Sequence, residues 1–118
     1  MRSTISGSGV QVDEKLRQYI ERRLHFTLGR FGPDIDQVVV RVADINGSRG
    51  GVDKECRVVV RLRGRGNHRI AVDDHDDNVY AAVARAIARS GRSVARTVER
   101  RRDRRSYPSR EVAVAEEQ

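Results

Sequence analysis

The chain is poor in the residues that usually announce chemistry. Its 118 residues hold no Trp, one Cys, one Met, two Phe, two Pro and three Tyr. A lone Cys56 closes no internal disulfide, which fits a reducing compartment, so a cytoplasmic location is expected. Met1-Arg2-Ser3-Thr4-Ile5-Ser6-Gly7 carries no apolar h-region, and no secretory signal is expected there. No apolar run approaches the roughly 18 residues that a membrane helix needs. There is no Walker loop and no nucleophile elbow, and no set of side chains reads as catalytic. No enzyme activity, cofactor or small-molecule substrate is therefore expected. Few aromatics with 35% charged residues hint at disorder, but the apolar residues recur with regular periods, which argues for a folded core. At this length a single domain is the natural reading, burying somewhat over roughly 60% of its unfolded surface.

Lysine is nearly missing as well. Of 24 basic residues only Lys15 and Lys54 are not Arg, against 17 acidic ones, for a net charge of +7. Arginine grips phosphate with a planar fork, although a GC-rich coding sequence also enriches it. The distribution of charge says more. Residues 79–105 carry nine Arg against Glu99 and Asp103, a charge of +7, so the remainder of the chain sums to zero.

Residues 4–6 and 10–12 read as a first strand. Asp13 is a good N-cap for a helix over about Asp13–Arg30, with Leu16, Ile20, Leu24, Leu28 and Phe31 at helical spacing and Gly32-Pro33 as the stop. Alternating apolar residues then predict strands over 36–44, 55–63 and 68–73, joined by Gly-rich turns at 46–51 and 64–67. The acidic run Asp73-Asp74-His75-Asp76-Asp77 reads as the cap of a long helix over about Asn78–Arg102, and residues 106–118 as a disordered, mildly acidic tail. A metal-dependent nuclease site in that run is disfavoured, because adjacent loop residues rarely converge on one ion. The order β-α-β-β-β-α predicts an α+β domain over 1–105. In it, two helices pack on one face of a four-stranded sheet, resembling a double-stranded-RNA-binding domain.

At about 100° per residue, Val79, Val83, Ile87, Ser90, Val94 and Val98 share one stripe of the last helix. Arg85, Arg89, Arg92, Arg96 and Arg100 share the opposite one, within about 80° and over about 22 Å. A solvated face normally mixes signs, since like charges at i,i+4 repel. No acid lies between Arg85 and Val98, so a polyphosphate ridge is the favoured reading. Lys15, Tyr19, Arg22 and Phe26, with Arg23 and Arg30 beside them, form a second basic edge on the first helix; Tyr19 and Phe26 would otherwise widen the core. The outer sheet face carries Arg41, Arg57, Arg61, Arg63 and Arg69, without the exposed aromatic pair with which an RRM stacks bases. By alternation Cys56 is a buried, inert thiol. Gly29-Arg30-Phe31-Gly32 matches the KH loop formally, but it runs toward a strand rather than joining two helices.

Two segments carry a resemblance. Val12-Asp13-Glu14-Lys15-Leu16-Arg17-Gln18-Tyr19-Ile20 and Asp77-Asn78-Val79-Tyr80-Ala81-Ala82-Val83, set in the β-α-β-β-β-α order over about residues 3–102, resemble the ribosome hibernation promoting factor and ribosome-associated inhibitor A family, also labelled sigma modulation protein. The resemblance implies a cytoplasmic translation inhibitor, acting as a monomer on the small ribosomal subunit in its mRNA and tRNA channel. By matching positions it assigns ribosomal RNA contacts to Arg23, Arg89, Arg92, Arg96 and Arg100, and a packing role to Tyr80. The chain departs from the pattern at Ser90-Gly91, where a bend is expected, and in its long 46–51 turn. Lacking a second, ribosome-pairing domain, it resembles the short form. A generic double-stranded-RNA-binding module is the alternative. That fold would lack the opening strand and carry a Lys-rich start to its last helix, where this chain is acidic.

Overall fold

A computed structural model describes residues 1–45, 54–64, 66 and 68–106, with backbone only for 104–106. The elements run β1 (Arg2–Ser8), α1 (Glu14–Leu28), a short 3-10 helix (Gly29–Asp34), β2 (Ile35–Asp44), β3 (Lys54–Leu62), β4 (Arg69–Asp76) and α2 (Val79–Ser106). The expected order holds, and the four strands form one sheet in the order β1-β2-β3-β4. β2, β3 and β4 are an antiparallel meander, while β1 joins the β2 edge in parallel, with α1 as the crossover.

Each strand buries alternate residues, because successive side chains point to opposite faces. Val38, Val40 and Val42 of β2, Cys56, Val58 and Val60 of β3, and Ile70 and Val72 of β4 meet Leu16, Ile20, Leu24 and Leu28 of α1 and Val83, Ile87, Val94 and Val98 of α2. α2 also buries Ala82 and Ala86, small residues that bring it close to β3 and β4. The Cys56 thiol lies in this core. Burial first, and then Asp74, Asp73 and Glu55, push its pKa up to about 12, so it stays protonated.

Four expectations are corrected. The first strand is Arg2–Ser8 alone; Gly9, at φ 72°, turns the chain, and Val10 and Val12 pack on the core from the following loop. α1 stops at Leu28 rather than Arg30, because Gly29–Asp34 tightens into the 3-10 helix that carries Pro33 and buries Phe31. β4 runs on through Asp73, Asp74 and His75 to Asp76, so the acidic run is mostly strand. α2 is unbroken helix across Ser90-Gly91 and runs past the expected end at Arg102 to Ser106. The Gly91 position is a close approach: a methyl there would overlap Thr27 Cγ2 of α1. The 46–51 turn and residues 107–118 of the expected tail lie outside the described residues.

Candidate nucleic-acid interface

The start of α2 fixes the site. The Asn78 side chain accepts the Tyr80 N–H (2.8 Å), and Asp76 accepts the Asn78 N–H (2.9 Å). Asn78 is thus the cap, and the acids before it do other work. Alternation along β4 sends Asp74 and Asp76 toward α2. There Arg85 donates to Asp74 (3.1 Å), Asp76 (2.8 Å) and the His75 carbonyl (2.8 Å), and Arg89 donates to Asp74 (3.2 Å) and the Asp73 carbonyl (2.7 Å). Burial works to raise the Asp74 pKa, but hydrogen bonds from Arg85, the His75 N–H and Arg89 outweigh it and hold it below the usual carboxylate range. The Asn78 N–H and then Arg85 bring Asp76 down to about 2. These same bonds, Asp76 before Asp74, raise the Arg85 pKa.

All five arginines of the expected ridge are exposed. Their surroundings differ. Arg85 and Arg89 are bound to β4 acids, whereas Arg96 donates to the Ser93 hydroxyl (3.3 Å), and Arg92, Arg96 and Arg100 meet no acid among the described residues. The unpaired charge therefore sits on the second half of the stripe. Beyond it, Arg101 donates to the Arg63 carbonyl (2.6 Å) and Arg102 pairs with Asp34 (3.6 Å), tying the end of α2 to the β3–β4 turn and the 3-10 helix.

The α1 residues meet the start of α2 at Tyr80. Tyr19 and Tyr80 meet edge to face with ring centroids 5.0 Å apart. Lys15 lies over the Tyr80 ring (5.9 Å) and Arg23 over the Tyr19 ring (6.0 Å), at cation–π distance. Arg23 is half-buried, and its buried Nε has no hydrogen-bond partner among the described residues. Arg22 is exposed beside Phe26, whose ring is 86% exposed. The aromatics expected to act together are thus divided: Tyr19 packs, as Tyr80 does, and Phe26 stands in solvent. Lys15 and Arg23 thus gather at the Tyr19–Tyr80 contact between α1 and α2, Arg22 lies beside Phe26, and Arg92, Arg96 and Arg100 stand exposed along α2.

The sheet face away from the helices holds what sequence reasoning noted but did not assign. Its register places Arg41 directly across from Arg57, and Arg61 across from Arg69. The four arginines ring a shallow hollow floored by Val39 and Val59. Period-two alternation of Arg and Val in β3 was the available signal. Arg63 lies past the end of β3, at the turn. No group of acids, His and Cys among the described residues could hold a metal ion, and no described helix is long and apolar enough to cross a membrane.

The chain is thus a small α+β fold that presents exposed arginines along one helix. The family model for sigma 54 modulation protein / S30EA ribosomal protein matches residues 3–102, and the chain belongs to that family of ribosome-associated modulation factors. No curated protein sequence matches it. Among solved structures, the N-terminal domain of Protein Y from Thermus thermophilus is 20% identical, with 82% of this chain and 99% of that one covered at a TM-score of 0.60. A ribosomal subunit interface protein from Coxiella burnetii is 19% identical, with 84% and 99% covered at a TM-score of 0.62. At these identities the two likenesses establish the shared fold.

Proposed function

We propose that this chain silences idle ribosomes by occupying the mRNA and tRNA channel of the small subunit, holding its ribosomal RNA with the basic faces of α1 and α2. The observation that carries this is the second half of the α2 stripe. On a member of a ribosome-associated family, Arg92, Arg96 and Arg100 stand exposed with no acidic partner among the described residues. Like charges spaced along one helix face cost stability unless a polyanion meets them, and RNA phosphates meet arginine with charge-assisted, bidentate bonds. Inhibition by occupancy needs no reacting group, so this reading calls for neither catalysis nor a cofactor; it takes the protein to act in the cytoplasm, as a monomer on the subunit.

The test is sedimentation with purified small subunits through a sucrose gradient in low-magnesium, moderate-salt buffer. The wild-type chain is expected to travel with the subunit, and Arg92→Glu/Arg96→Glu/Arg100→Glu to stay at the top with an unchanged circular dichroism spectrum. A wild-type chain that remains at the top overturns the reading. The generic double-stranded-RNA-binding module is disfavoured by β1, which that fold lacks, and by the acids that occupy the approach to α2.

A further inference from the structure

The sheet face opposite the helices is built in rows. Reading across the strands, Arg61 and Arg69 share one row and Arg41 and Arg57 another, with Val39 and Val59 in the row between. Arg57 and Arg61 are four residues apart on β3, so the arginine rows are about 13 Å apart at about 3.3 Å per residue. Like charges directly opposite each other destabilise a sheet. Here two such pairs sit side by side, and little offsets them. Asp73 takes Arg57 (3.6 Å), while Arg41, Arg61 and Arg69 meet no acid among the described residues. The acids facing this side, Glu55 and Asp73, lie toward one end, and Glu55 is engaged by His75 (3.2 Å).

A face that keeps unpaired like charges around an apolar floor is shaped for an anion with spaced charges. The floor holds valines and no aromatic platform for bases, so the charge of the arginines favours the phosphate backbone as their partner. We propose that the open face of the β2–β3–β4 sheet is a second RNA-backbone surface, which places the domain between two RNA segments, one on the helices and one on the sheet. This rests on the ribosome-binding reading above and extends it to the other side of the molecule.

Arg41→Thr/Arg61→Thr/Arg69→Thr tests it, with strand-forming replacements that keep the fold. Two probes are used: a fluorescent single-stranded uridine oligonucleotide, followed by anisotropy across a salt series, and purified small subunits, followed by sedimentation. Every phosphate left without its arginine takes about 0.7 off the log–log salt slope, so the oligonucleotide slope is expected to shrink by about 2. Subunit affinity is expected to fall about tenfold, and the melting temperature to equal or exceed that of the wild type, because two like-charge pairs are gone. If slope and subunit affinity are unchanged while the helix variant still loses the subunit, the sheet face is merely solvated and the inference falls alone. A loss of subunit affinity with an unchanged oligonucleotide slope assigns the face to an acidic ribosomal protein and overturns the RNA assignment. If the wild type ignores subunits but the oligonucleotide slope shrinks in the variant, the proposed function fails and the RNA surface stands.

Discussion

Gly91 separates two opposing rules. In an isolated helix, Gly→Ala adds about 1 kcal/mol of stability, but here the new methyl would meet Thr27 Cγ2. Overpacking of a tight contact costs about 1–3 kcal/mol. Gly91→Ala is therefore expected to lower the thermal midpoint, and Thr27→Ala added to it to restore most of the loss; a rise in the single variant would show that α1 shifts without cost. Asp76 gives a pH signature. Its carboxyl loses its proton at about 2 in the folded chain against an ordinary 3.8. The unfolded chain therefore takes up that proton first as pH falls. The bonds to Arg85 and Asn78 contribute stability above about pH 4, and that contribution is lost as pH drops through about 2. Asp76→Asn should flatten the fall of melting temperature between those values. An unchanged acid slope would mean that the ion pair with Arg85 does not persist in solution.

Within α2 a single arginine stripe divides by what faces it. The apolar stripe and the arginine stripe were legible, because both follow the 3.6-residue period: Val83, Ile87, Ser90, Val94 and Val98 are buried as expected. The division was not legible. Asp74 and Asp76 reach Arg85 and Arg89 only because β4 outruns its expected end and lies beside α2. In sequence, acids at the end of a strand look the same as acids capping a helix. Arg85→Ala/Arg89→Ala is accordingly expected to lower the melting temperature while leaving the salt dependence of subunit binding nearly unchanged, the reverse of the variant at Arg92, Arg96 and Arg100. α1 divides in the same way. Phe26 has no intramolecular role at 86% exposure, so Phe26→Ala should leave stability intact. If the ring stacks on a base, the variant weakens RNA binding by about 1–3 kcal/mol, a loss that anisotropy would resolve.

For the whole molecule, the +7 resides in the segment that forms α2, yet not all of that charge faces solvent unpaired. The acids of β4 neutralise the first half of the stripe, and the sheet face presents arginines that acids elsewhere in the chain offset only in the sum. Element order, the meander and the placement of both helices on one side were readable from periodicity. The parallel seat of β1 depended on long-range pairing that no local pattern encodes, and the meaning of the sheet arginines on a register between strands. The deeply buried Cys56 has a practical use. Buried, and with its pKa pushed up to about 12, the thiol stays protonated at pH 8, so the native chain is expected to react little with maleimides and iodoacetamides. A single cysteine engineered onto either face would therefore carry a cleavage reagent or dye without background, and could map each face separately against the RNA it meets.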